Sequence, residues 1–203
     1  MTIQFLPFGE DAVLVELDTS PVGCLSQIKE AFPEATVRPG LSTVLISFPS
    51  SSDPLQEVST RFPELTKADS FTSSNTHVIP ITYDGPDLNL AAECAGLSVS
   101  QLIQLHQKTL WQVALIGFAP GFPYLIPEAN SEIFQKISRL ASPRTKVPEK
   151  SVGLAAGMSC IYPSASPGGW LLIGTVAAEI FDVNQMLPNL FNVGEIVQFE
   201  AAK

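Results

Sequence analysis

Charge is the scarcest commodity in this chain. Asp, Glu, Lys and Arg make up 15% of its 203 residues, against about a quarter in an ordinary soluble protein. Basic residues are the rarer kind: 11 Lys+Arg face 20 Asp+Glu, for a formal net charge of -9. A nucleic-acid surface is held by clustered positive charge, so this balance counts against nucleic-acid binding. It counts against an anionic membrane surface for the same reason. No run of 18 apolar residues occurs, so no transmembrane helix is expected. The first residues, MTIQFLPFG, lack a basic n-region and a long apolar h-region, and no signal peptide is expected. Histidine is down to two and cysteine to three, at Cys24, Cys94 and Cys160. Scattered and odd in number, the cysteines suit a reducing cytoplasm rather than a disulfide framework. No paired Cys/His spacing exists, so no metal site is expected. The phosphate-loop pattern GxxxxGK[ST], the dinucleotide fingerprint GxGxxG and the nucleophile elbow GxSxG are all missing. No biotin-attachment motif is found.

What remains is an apolar, turn-rich chain. Hydrophobic residues reach 45% and mean hydropathy is +0.24. The length allows one large domain or two small ones. The 17 Pro and 13 Gly residues are unevenly spread, fourteen of them falling between Gly117 and Gly174. That density excludes long helices there.

The first part reads β-α-β-β-α. Ala12–Leu17 is a strand candidate. Pro21–Phe32 is a short helix with Thr19 or Ser20 as cap and proline in the first turn. Residues 35–38 and 43–48 read as paired strands around a Pro39-Gly40 turn. Residues 53–62 read as a second helix. This order suits a small α+β layer, strands backed by helices on one face. The polar stretch 66–76 (TKADSFTSSNT) reads as a linker, which gives domains at 1–70 and 77–203. Beyond it, residues 77–81 read as a strand and 87–95 as a helix closed by Gly96. Ser98 caps a helix over 99–108, and residues 111–116 read as a buried strand. Brief apolar runs follow at 152–154, 160–162, 170–173, 178–181 and 196–199. Many short strands between Gly/Pro turns indicate a barrel or sandwich.

Three segments carry candidate chemistry. Gly117–Leu125 (GFAPGFPYL) is too rich in Pro and Gly for a regular element. It can hold aromatic faces around an apolar or planar ligand, or simply pack as a structural loop. Pro163–Trp170 (PSASPGGW) can form a backbone nest for an anion, or a hairpin turn into the Trp170 strand. Residues 139–150 hold Arg139, Arg144, Lys146 and Lys150, four of the 11 basic residues. An arginine fork there suits a carboxylate or phosphate; the plain alternative is a solvated loop. His106, near the end of its helix, is a candidate acid/base or a helix-end histidine satisfied by the dipole or the core.

Taken in order, Gly85–Leu88, Gly96–Ser98, Leu105–His106, Phe118–Leu125, Pro143–Arg144, Val147–Pro148, Ser151–Gly153, Ile161–Pro163, Ser166–Gly174 and Phe181–Asp182 resemble the allophanate hydrolase subunit 1 family. Leu6–Ala12 and Arg38–Leu45 match it more loosely. The family includes the B subunit of 5-oxoprolinase, a sporulation-kinase inhibitor and part of the carboxyltransferase region of urea carboxylase. The resemblance implies an α+β fold, a small α+β N-terminal domain followed by a cyclophilin-like β-barrel. It implies a cytoplasmic subunit of an ATP-dependent 5-oxoprolinase that opens 5-oxoproline to glutamate. ATP would be used with partners, the AHS2-type C subunit of that complex and its A subunit. The alternatives within the family are a regulator that binds a histidine kinase, and an allophanate hydrolase or urea carboxylase-type component.

On that resemblance Arg144, with Lys146, is expected to hold a phosphate or the substrate carboxylate. Phe118, Pro120, Gly121, Phe122 and Tyr124 are expected to form an apolar wall. Gly168 and Gly169 would offer backbone donors, and His106 would transfer a proton or orient substrate. Ser151, Ser159, Tyr162, Ser166 and Trp170 complete the expected substrate-binding set. The chain departs from the family pattern where Glu149-Lys150 replaces Ala-Gly, where Met158 replaces an amide, and where Thr175 replaces an arginine.

Overall fold

A computed structural model describes residues 3–50, 53–62 and 75–202. The chain divides into two compact units, Met1–Thr72 and Ser73–Lys203.

In the first unit, β1 (Gln4–Pro7), β2 (Ala12–Glu16), β3 (Thr36–Pro39) and β4 (Thr43–Ser47) form an antiparallel sheet in the order β1-β2-β4-β3. Alternation puts Val13 and Val15 of β2 and Val44 and Ile46 of β4 on one face, all fully buried. Against that face pack Ile28 of α1 (Leu25–Ala31) and Val58 of α2 (Pro54–Arg61). Asp53 caps α2 by accepting the Gln56 N–H at 3.0 Å, with Pro54 at the first position. The first helix differs from expectation. A 3-10 turn, Val22–Cys24, precedes it, and neither Thr19 nor Ser20 caps it: its N-terminal cap is Cys24, without a side-chain bond. Strand β1 is an addition to the expected order.

The second unit starts with β5 (Thr76–Thr82), so the expected linker lies outside the described residues up to position 74. Then come α3 (Leu88–Ala95), α4 (Val99–Lys108), β6 (Trp111–Ile116), β7 (Pro123–Pro127), α5 (Ser131–Phe134), β8 (Arg144–Val147), β9 (Ser151–Ala155), β10 (Met158–Ile161), β11 (Ser166–Gly168), β12 (Leu171–Val176) and β13 (Ile196–Ala201). Seven strands close a barrel in the order β10-β7-β6-β13-β5-β12-β9, while β8 and β11 pair separately. All barrel pairings are antiparallel except β13 with β5.

Helix α4 begins with a capping box, Ser98 and Gln101 bonding each other's backbone. Gly96 ends α3 in the left-handed conformation at φ 70°. The barrel interior is filled, as in other small barrels, by Val113, Leu125, Val152, Leu154, Ile161, Ile173 and Phe199 among others. A ligand must therefore bind outside it. Two expectations fail here. Residues 123–127 are a strand, although the segment looked too irregular for one; the two prolines stand at its ends, where a missing N–H costs least. Residues 178–181 form no strand, only a bridge from Phe181 to Asn189.

Candidate functional site

The alternation that fills the barrel also sends Tyr124 of β7, Gly153 of β9, Cys160 of β10 and Leu172 of β12 to its outer face. Phe122, Tyr162 and Trp170 cover that face and form a separate apolar cluster with Val147, Ala155, Cys160 and Leu172. The rings meet edge-on or tilted: Phe122 lies 5.1 Å from Tyr124 and 5.1 Å from Tyr162, and Tyr124 lies 6.0 Å from Trp170. Gly153 makes the seat for Trp170, since a Cβ there would stand 3.0 Å from the Trp170 Cβ and 3.1 Å from Cys160 Sγ.

Between these rings opens a recess of about 230 Å³, walled by Phe118, Phe122, Tyr124, Tyr162 and Trp170, with Arg139, Pro143, Gly168 and Gly169 around it. The Arg139 guanidinium lies 5.6 Å from the Trp170 ring centroid. Phe118 is 67% exposed and has φ 69°, a left-handed conformation that costs a bulky side chain about 1–2 kcal/mol. The loop holds it there: the Gly117 N–H donates to Phe122 O at 3.1 Å, and the Phe122 N–H to Ala119 O at 3.0 Å. Gly121 has φ 76°, and a Cβ on it would lie 2.5 Å from Phe181. Pro120 and Gly121 do not line the aromatic recess. With Phe118, Phe181 and Asn189 they border a shallower depression of about 440 Å³.

Arg144 and Lys146 project from β8 into a third cavity of about 240 Å³, bordered also by Asp84, Gly85, Ser151 and Thr175. Arg144 is committed there. Its Nη2 donates to Asp87 Oδ1 at 2.7 Å, and the Leu172 N–H donates to the other Asp87 oxygen at 2.8 Å. Its Nη1 is buried without a partner. Arg144 thus ties β8 to the start of α3 and to β12, where a free substrate-binding arginine was expected. Thr175 donates to Asp84 at 3.1 Å. Lys150 pairs with Glu179 at 3.2 Å and has φ 64°, a conformation that suits the glycine of the family pattern better. Met158 packs against the aromatic cluster.

His106 and Ser159 border none of these three cavities. Both are fully buried. His106 Nδ1 and the Tyr83 hydroxyl are 2.9 Å apart, and His106 Nε2 and Ser159 Oγ 3.4 Å apart. The imidazole stacks on Phe199 at 4.5 Å and lies 5.2 Å from Trp111. Burial pushes its pKa down to about 3, so it is neutral at pH 7. Ser166 pairs with Val147 across β11 and β8 and borders none of these cavities. Of the expected set, the structure gathers Phe118, Phe122, Tyr124, Tyr162, Gly168, Gly169 and Trp170 at one recess, and Arg144, Lys146 and Ser151 at another.

The family described as carboxyltransferase domain, subdomain C and D, matches residues 3–191. The chain belongs to this family, that of allophanate hydrolase subunit 1. A 5-oxoprolinase B subunit from Haemophilus influenzae is 40% identical over 126 residues, 60% of this chain and 57% of that protein. A Bacillus subtilis protein of the same name is 37% identical over 126 residues, 60% of this chain and 50% of that one. The chain thus spans 50–57% of the length of these relatives. The crystal structure of TTHA0988 superposes with a TM-score of 0.75 at 28% identity, covering 100% of this chain and 40% of that one.

Two features of this carboxyltransferase-family chain were missed in sequence. Arg139 reaches the aromatic recess; its place in the basic cluster was the available signal. Val183, Met186 and Leu187 are 73%, 96% and 82% exposed, a bare apolar loop beside the Phe181–Asn189 bridge. Among the described residues no helix is long and apolar enough to cross a membrane, and no group of His, Cys, Asp or Glu is arranged to hold a metal ion.

Proposed function

We propose that this chain is the B-type subunit of an ATP-dependent 5-oxoprolinase, acting in the cytoplasm to open 5-oxoproline to glutamate. The names and identities of its relatives support this reading. The aromatic recess carries it: at about 230 Å³ the cavity is smaller than the ~300 Å³ at which drug-sized sites begin. It has flat walls and one arginine, which suits a small ring bearing an acid.

An unactivated lactam resists water because its nitrogen donates into the carbonyl. Transfer of a phosphoryl group from ATP to the carbonyl oxygen would turn that oxygen into a leaving group. Water would then add at the activated carbon, cleavage of the C–N bond would free the amine and leave the open-chain acyl phosphate, and a second water would displace phosphate from that acyl group to give glutamate. This chain carries no phosphate-loop motif, so ATP is assigned to the partners, the A-type and the AHS2-like C-type subunits. Exposed Phe118 and the Val183–Leu187 loop offer apolar surface for such a partner. In this reading the recess residues hold the ring, and His106 contributes to packing rather than to proton transfer.

The test is co-expression with the partner subunits and an assay of 5-oxoproline-dependent ATP hydrolysis with glutamate formation. Glutamate formed in step with ADP supports the assignment. A stable complex without that activity, or recovery of a histidine kinase in place of the partner subunits, overturns it.

A further inference from the structure

Arg139 is held in place but, among the described residues, left without a counter-ion. The N–H of its neighbour Leu140 donates to Gly169 O at 2.7 Å, which fastens this stretch to the wall of the recess. Its guanidinium lies 5.6 Å from the Trp170 centroid, an arrangement that orients the planar fork without consuming its donors. No carboxylate among the described residues pairs with it. Arg144 differs, because its Nη2 is already paired with Asp87.

The second observation is Tyr162. The residue is only 1% exposed and its hydroxyl has no hydrogen-bond partner among the described residues. Among the described residues the fully buried side-chain polar atoms without a partner are Ser20 Oγ and Arg144 Nη1, and the Tyr162 hydroxyl is not one of them. Tyr162 lines the aromatic recess. Gly168 leaves room for the hydroxyl, since a Cβ there would lie 2.3 Å from its oxygen. Tyr124 lines the same recess. Burial raises the pKa of both phenols, so at neutral pH they are O–H donors. Arg139 is near enough for its charge to favour their ionised forms. The side chains around the cavity thus offer a cation, two hydroxyls and aromatic faces, with no carboxylate or amide to accept from a ligand.

We propose that Arg139, together with the Tyr162 and Tyr124 hydroxyls, binds the carboxylate of a small flat cyclic acid whose ring stacks in the aromatic recess. Naming 5-oxoproline as that acid rests on the function proposed above; the recognition of a ring carboxylate by Arg139 does not. This shifts substrate recognition from Arg144, which serves as an internal tie, to Arg139.

The experiment titrates the full chain with 5-oxoproline and with its carboxamide, which has the same ring but no charge, following Trp fluorescence. The wild type is expected to prefer the acid by about tenfold, since a charge-assisted fork is lost with the amide. Arg139→Gln should bring the ratio close to one, and Tyr162→Phe should weaken acid binding while keeping the preference for acid over amide. Arg139 is exposed, so an unchanged urea midpoint should show that the variant is folded. No binding of either compound, or an acid preference that survives Arg139→Gln, overturns the proposal. A parallel assay on the co-expressed complex keeps the two claims apart. Acid-selective binding without 5-oxoproline-dependent ATP hydrolysis removes the proposed function and leaves the recess. Hydrolysis without Arg139-dependent selectivity does the reverse.

Discussion

His106 makes an unusually direct link between a buried group and stability. Among the described residues no charged group pairs with it; its neighbours include the Tyr83 and Ser159 hydroxyls and the rings of Phe199 and Trp111. Burial lowers its pKa from 6.5 to about 3 in the folded chain. The unfolded chain therefore takes up a proton as pH falls through about 6.5, while the folded chain does not. Stability from this group is present above that value and is lost as pH falls towards about 3. Each pH unit within the window is worth about 1.4 kcal/mol. Between pH 7 and pH 5 the loss should be about 2 kcal/mol. The assay is urea unfolding at both pH values for the wild type and for His106→Gln. The variant will be less stable at either pH, because a packed ring is lost, so the readout is the change with pH. Subtracting the variant's change removes the part due to every other titrating group. A difference of about 2 kcal/mol is expected. Equal pH dependence in the two chains would show that His106 is solvated or charged in the folded state, and the neutral-core account of it would be wrong.

Other predictions follow from single contacts. Arg144→Ala should cost about 1.5–3 kcal/mol by stranding Asp87; in the Asp87→Asn background the same change should cost much less, and additive losses in a double-mutant cycle would refute the tie. Gly85→Ala should be severely destabilising, because its Cβ would lie 2.3 Å from Leu172 O and from Ile173 C. Gly9→Ala, with open space around the site, should cost only about 1 kcal/mol for its positive φ. Thermal unfolding of both should separate them clearly, and similar losses would contradict the close crossing at Gly85. A thiol reagent should label half-buried Cys94 first, leaving buried Cys24 and Cys160 unlabelled until urea unfolds the chain; burial raises the thiol pKa of both. Rapid labelling of all three would refute that burial.

The elements most legible in sequence were those with local chemistry. Ser98 and Gln101 announce α4, Gly96 ends α3, and the β-branched runs mark β2, β4 and β6. Strand β7 was obscured by the prolines at its ends, and β8 and β11 are too short for alternation to show. His106 follows buried Leu102 by four residues, so the spacing placed it on the inward face of α4. That spacing alone did not show that its imidazole is fully buried. The Arg144–Asp87 pair joins positions 57 residues apart and leaves no local trace. Without it, Arg144 read as free and Arg139 as one more member of the basic cluster. The aromatic and Gly-Gly segments stood out in sequence, but only the barrel's outward alternation brings them to one recess.

The central claim is that this chain completes a 5-oxoprolinase, and the most direct measurement is ATP hydrolysis by the co-expressed complex with and without 5-oxoproline. The account predicts ADP release that depends on 5-oxoproline and matches glutamate formed, and that is lost when this chain is omitted. Full activity from the partner subunits without this chain would contradict it, as would an assembled complex that does not open the ring.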